Sequence, residues 1–400
     1  MRTKEAAKGM MCVLVAGLAP GLAAGCAGGD DGAAEGVQEV QLGEAEAAWA
    51  EAFSVVSTVR ELPGGRVLVA DPLSQVVVSL DMDAGAADTI GGLGEGPAEY
   101  RQPDAVWPLP GDRTLLVDLG NGRLTVLSPE LEFGDTRPFA VMDPAAGSVV
   151  MAIPQGVDAM GRLYFRSMPA FDQNPDSLKI LRLDLDTEET DSVGMFKQQG
   201  RTREESGDAG NQNVRITPVP LSPEDAWGVA EDGRVVVARA GDYHVDWIEA
   251  DGSVTSGPPV PYTPVRIGQG EKEEWRDNGS ETGGGLGIQV MQANGSMRIT
   301  ATRGAGGDDD DNLDDYPWPE VKPAFYARPI RVDRTGRAWV RRHQQAGTSP
   351  RYDLFDGTGA LVMSVVLPMG RRVVGFGEGA LYAVRMDEVG LQYLERYAVP

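Results

Sequence analysis

Cysteine and histidine are almost missing from this chain, with two of each in 400 residues. Two cysteines exclude a disulfide framework and a cysteine-rich zinc site. Two histidines exclude any site that needs three. Positive charge is also short: Lys and Arg number 36 against 60 Asp and Glu, a formal net charge of −24. A field of that sign repels phosphate backbones and argues against nucleic acid as a partner. Aromatic residues make up only 6% of the chain. A long apolar run is lacking too. Residues 9–24 are mostly apolar but are broken by Pro20, and they fall short of the roughly 20 residues that a membrane-spanning helix requires.

What is abundant is turn chemistry. Gly (52) and Pro (27) together supply about one residue in five, against roughly 12% in average usage. That favours many short strands over a helical bundle. The hydrophobic share of 42% is enough for a real core, so the chain is not expected to be disordered.

Residues 1–26 read as an address. Arg2, Lys4 and Lys8 form a basic start, and the apolar stretch ends in small residues, the pattern of a signal peptide over residues 1–25. The run Leu22-Ala23-Ala24-Gly25-Cys26 resembles a bacterial lipobox, with Ala23 three places before the cysteine and Leu22 one further out. The resemblance implies lipid attachment at Cys26 and an exported lipoprotein. Ala27 in place of Asp leans towards the outer membrane. Plain secretion with an incidental thiol is the alternative. Residues 26–45, rich in Gly, Ala and acid, suit a flexible tether, and the domain proper is expected over 46–400.

Downstream, one pattern recurs. A turn carrying Gly or Asp is followed by Arg and an apolar strand: PGGRVLVAD (63–71), PGDRTLLVD (110–118), AMGRLYFRS (159–167), EDGRVVVAR (231–239), RTGRAWVRR (334–342) and GEGALYAVR (377–385), the last without the Arg. Each copy is followed by a second strand, as in QVVVSLD (75–81) or LQYLERYAV (391–399). Such antiparallel meanders bury their faces by radial stacking, so six copies predict an all-β, six-bladed β-propeller of four-stranded blades. Three turn-to-turn steps fit a blade of about 40–50 residues. The two long ones predict insertions near 187–224 and 268–325. The last blade runs out of chain after three strands, so residues 39–45 are expected to supply its outer strand and close the ring.

Residues 91–128 carry the most specific signature. Gly94, Gly96, Pro97, Glu99, Tyr100, Pro103, Asp118, Asn121 and Arg123 stand where the NHL-type repeat of bacterial six-bladed propeller lipoproteins has its glycines, Gly-Pro, acid, aromatic, Pro and Asn/Gly-Arg. The segment therefore resembles that family. Related propellers bind proteins, peptides or carbohydrates, or act as lactonases and lyases, so the resemblance implies a fold and no single activity.

Candidate functional residues are few. Asp118 and Arg123 suit a polar ring near the pore, or a turn cap with its ion pair. Tyr316 and Trp318, with Tyr326 and Trp227, suit an aromatic rim, or blade packing. The acidic runs 184–191 and 308–315 offer oxygen ligands, so calcium is weighed there, but neither has the Asp-x-Asp-x-Asp-Gly spacing, and solvated loops are expected. His244 and His343 stand in no nucleophile context. No cofactor is called for. The expectation is a monomeric, lipid-anchored, non-catalytic module binding a protein, peptide or glycan partner in the cell envelope, touching the membrane only through its anchor. The alternative is a metal-dependent lactonase or hydrolase with carboxylates lining the channel. Metabolic labelling with a fatty-acid probe tests the anchor. Wild type is expected to take label and Cys26→Ser to take none; label on the serine variant contradicts the assignment.

Overall fold

The computed structural model describes residues 37–400 apart from 144–147, 169–174, 207–212, 282–285, 294–295 and 304–311. The signal segment, Cys26 and the acidic residues 308–311 lie outside the described residues. Six four-stranded antiparallel blades stand in a ring, the six-bladed propeller that the repeat predicts. Each Arg-turn copy forms the second strand of its blade. The second strands run Val67–Asp71, Thr114–Asp118, Leu163–Arg166, Val235–Arg239, Ala338–Arg342 and Ala380–Met386 for blades 1 to 6.

These strands read as unbroken apolar runs because both of their faces are buried. Alternate side chains point to opposite faces. Val67 and Val69 pack towards blade 6, while Leu68 and Ala70 pack towards blade 2. In blade 4, Val236 and Ala238 face blade 5, while Val235 and Val237 face blade 3. Every junction between neighbouring blades carries such an apolar cluster.

The arginine after the turn has a structural use. In blade 3, the Asp158 carboxylate accepts from the N–H groups of Met160 and Arg162, from Arg162 Nε at 2.7 Å and from the Tyr164 hydroxyl at 2.9 Å. Blade 5 repeats this with Asp333, accepting from Thr335, Arg337 Nε at 2.8 Å and Trp339 Nε1 at 2.9 Å. The pattern Asp-x-x-Gly-Arg-x-aromatic thus ties a turn to the core. Its glycine takes positive φ, +82° at Gly161 and +84° at Gly336, where a side chain would strain the backbone.

Three features differ from the sequence reading. The outer strand of blade 6 is Ala47–Ala48, paired antiparallel with Gln392–Ala398, not residues 39–45. Gln38–Gln41 instead adds a fifth, parallel strand to blade 5, outside Leu361–Val366. The reason is packing: Leu42 and Ala45 fill the cluster between blades 5 and 6, which places the segment before them on blade 5 and the segment after them on blade 6. Residues 38–41, expected in a flexible tether, are therefore strand. The first insertion range contains the outer strand of blade 3, Thr190–Lys197, before a hairpin of Arg201–Ser206 and Asn213–Pro218. A further hairpin, Ala140–Asp143 with Ser148–Met151, links blades 2 and 3. The second range holds the helix Gln269–Glu281 and the hairpin Leu286–Ala293 with Ser296–Arg303.

Trp49 follows the closing strand and is buried with Phe53, Val374, Tyr382 and Leu394 between blades 6 and 1. Truncating such a residue typically costs about 3–5 kcal/mol. Urea unfolding of Trp49→Ala is expected to show a loss of that order; a loss under about 1 kcal/mol would contradict a closing role for this segment.

Candidate functional site

The inner strands surround the axis and approach closely. Gly228 of blade 4 lies so near blade 5 that a Cβ there would stand 2.1 Å from the Ile330 carbonyl oxygen. Hydrogen bonds link the starts of these strands: Ile330 N–H to Trp227 O at 3.0 Å, Gln155 Nε2 to Trp227 O at 3.0 Å, and Thr58 Oγ1 to Val106 O at 2.9 Å. At this end of the channel opens a cavity of about 320 Å³.

The charge in its wall is lopsided. Arg166, Arg328, Arg331, Arg341 and Arg372 line it, and Asp104 is the sole acidic residue among the described lining residues. Arg331 starts the inner strand of blade 5 (Arg331–Val332) and reaches across the ring. It donates to Ser57 O at 2.8 Å and lies 5.6 Å from the ring centre of Trp107 on blade 2. No carboxylate among the described residues pairs with it. Burial pushes its pKa down to about 10, with Tyr352 acting the other way. It still carries its charge at neutral pH. A carbonyl acceptor satisfies its hydrogen bond but does not neutralise that charge. Arg372 donates to Val56 O at 3.1 Å, Arg328 donates to Asn278 O at 2.7 Å, and the Arg341 guanidinium lies 4.4 Å from the Tyr326 ring centre.

This donor set does not fit a calcium ion, which takes six to eight oxygens with several carboxylates among them. Among the described residues no group of three or more His, Cys, Asp or Glu side chains is placed to hold a metal ion.

The sequence candidates lie elsewhere. Asp118 is buried and its carboxylate accepts from the N–H groups of Arg101 and Gln102 at 3.1 Å and from Asn121 Nδ2 at 2.7 Å. Arg123 is 3.3 Å from it and also donates to the carbonyls of Glu95, Gly96 and Glu99, bracing the Gly-Pro loop between blades 1 and 2. Tyr316 and Trp318 come together with Trp275 of the helix Gln269–Glu281, with ring centres 5.3 to 6.2 Å apart, as a small aromatic core of the insertion. Neither pair lines the cavity. Trp227 is buried between blades 3 and 4, and Tyr326 alone of the proposed rim lines the wall. His244 bonds Asp242 at 2.5 Å. His343 is buried with Nδ1 3.0 Å from Pro323 O, and burial pulls its pKa down to about 3. The cavity arginines had a faint signal in RPIRVDRTGR (328–337) and VRRH (340–343), basic stretches in an acidic chain.

Glu224, just before the inner strand of blade 4 (Ala226–Val229), is half-buried beside Arg166. Burial pushes its carboxyl up to about 7, against the pull of Arg166, Arg201 and the Gln199 N–H, and with a further push from Asp225. The folded chain therefore holds this proton better than the unfolded chain, whose carboxyl titrates near 4.5. Its contribution is full below about pH 4.5 and is lost as pH rises through about 7. Urea unfolding of Glu224→Gln is expected to match wild type at pH 4.5 and to exceed it at pH 8 by up to about 3 kcal/mol. A constant difference across that range would contradict the assignment.

No protein-family model matches the chain, and no curated protein matches its sequence. Solved structures with a similar chain course include a calcium-binding regucalcin from Agrobacterium tumefaciens, at 10% identity and a TM-score of 0.39, covering 90% of this chain and 97% of that one. A gluconolactonase from Xanthomonas campestris matches at 10% identity and a TM-score of 0.38, covering 89% and 94%. A virginiamycin B lyase from Staphylococcus aureus matches at 12% identity and a TM-score of 0.39, covering 89% and 99%. The likeness extends over most of each chain and assigns no activity.

Proposed function

We propose that this protein is a non-catalytic binding module that captures an anionic partner at the arginine-lined mouth of its channel. One observation carries the reading: five guanidiniums against one carboxylate among the described residues of a single cavity wall, within a chain of net charge −24. A chain so acidic places arginines together against the trend of its composition. Holding Arg331 in the wall without a carboxylate costs free energy that a bound anion offsets, a charge-assisted hydrogen bond being worth about 1.5–3 kcal/mol. Export and lipid attachment at Cys26 belong to the same reading and place the module in the cell envelope, where an acidic peptide, protein or glycan would be its partner.

A hydrolase is the second reading, and one observation favours it. The Glu224 carboxyl, held near 7 beside the cavity-lining Arg166, lies in the range where a carboxyl both takes and gives a proton near neutral pH. Hydrolysis of lactones or esters that disappears in Glu224→Gln would favour it over the binding reading.

Calorimetric titration with citrate, inorganic phosphate and an oligoglutamate, beside neutral and cationic controls, tests the lead reading. At least one anion is expected to bind, more weakly as salt rises, and Arg331→Gln is expected to weaken it about tenfold, or ~1.4 kcal/mol. Glutamine keeps a donor for the Ser57 carbonyl, so the fold is expected to persist. Equal affinity in the variant, or failure of every anion including organic monoanions, contradicts the proposal.

A further inference from the structure

The cavity wall is divided by chemistry as well as lopsided in charge. In a ring of six, blade 2 faces blade 5 and blade 3 faces blade 6. The wall from blades 5 and 6, with the connection leading into blade 5, carries Arg328, Arg331, Arg341 and Arg372, and no acid among its described lining residues. The opposite wall, from blades 2 and 3 and the connection between them, carries one charge of each sign, Asp104 and Arg166. Its remaining surface is largely apolar, with Trp107, Met151, Ile153 and Met168. Arg331 and Trp107 show that the two walls meet across the axis. Met168 is 40% exposed, so the apolar wall runs out to the rim.

We infer that the occupant is an amphiphilic organic anion, with a single carboxylate head on the arginines of blades 5 and 6 and an apolar body against blades 2 and 3. The inference rests on the anion-binding reading above and narrows its ligand. A compact inorganic anion would use the cationic wall alone and leave the apolar one wet. A polyanion would meet more repulsion from the rest of the molecule, whose net charge is −24, because that cost grows with each charge the ligand carries. A monoanion with an apolar body uses both walls and suffers least from the surrounding field. A cavity of about 320 Å³ lies at the small end of ligand sites, which run from roughly 300 to 1,000 Å³. That size suits a short acyl or aryl acid, or the last residue or two of a peptide with a free carboxyl end.

Calorimetric titration of the full chain with 3-phenylpropionate, octanoate, 3-phenylpropionamide, inorganic phosphate and citrate tests this. Two peptides ending in Phe, one as free acid and one as amide, complete the set. The organic acids are expected to bind at least about tenfold more tightly than phosphate, citrate or the neutral amide. Met168→Gln, at an exposed rim position that the fold tolerates, is expected to weaken the organic acids severalfold and leave phosphate and citrate unchanged. If the free-acid peptide binds and its amide does not, the head is a chain terminus; if only the small acids bind, the ligand is a free acid; both outcomes support the inference. Phosphate or citrate binding as tightly as the organic acids, or the amide binding as well as the acid, overturns it while leaving the anion site standing. Failure of every anion overturns both.

Discussion

A blade is a sheet with two apolar faces, and neither face is covered unless another blade stands against it. Ring closure is therefore the constraint on which the rest of this molecule depends. Here one stretch of chain performs it three times over. Gln38–Gln41 extends blade 5, Leu42 and Ala45 fill the junction between blades 5 and 6, and Ala47–Ala48 completes blade 6. Trp49 and Phe53 then seal blade 6 against blade 1. The inner strands are brought together as a consequence. The hydrogen bonds at their starts, and the contact of Gly228 with Ile330 that only a glycine permits, define an axial space of fixed size.

That space holds one guanidinium, Arg331, that no carboxylate among the described residues pairs with. A guanidinium surrounded by carbonyls and aromatic rings is hydrogen-bonded yet still cationic, and low local polarity strengthens its attraction for an anion. Outside, the molecule is strongly acidic. With a screening length of about 8 Å at physiological salt, an approaching anion meets repulsion first and attraction only at the mouth. Such a site discriminates by how much charge a ligand carries as well as by its shape.

Much of the ring could be read from the chain and little of the site. The second strands were legible because both their faces are buried, which makes runs such as VLVA and VVVA, and because a turn with Gly and Arg precedes most of them. Strands without that double burial were not. The outer strand Thr190–Lys197 is largely solvent-facing and reads as polar loop, and the inner strands Gly156–Val157 and Arg331–Val332 are too short to carry a period. The aromatic signal at Tyr316 and Trp318 was real but local, satisfied by Trp275 on the neighbouring helix. The cavity arginines come from positions 166, 328, 331, 341 and 372, from blades 3, 5 and 6. Only the closed ring brings them together, so beyond the basic stretches at 328–337 and 340–343 no linear pattern marks them.

The most direct test of the account is to see the anion. Crystals of the domain soaked in bromide, with diffraction recorded at the bromine edge, report the position of bound anions without choosing a ligand in advance. The account predicts an anomalous peak inside the cavity within hydrogen-bonding reach of the Arg331 guanidinium. Bromide bound at surface arginines, with the cavity free of any peak, would contradict it.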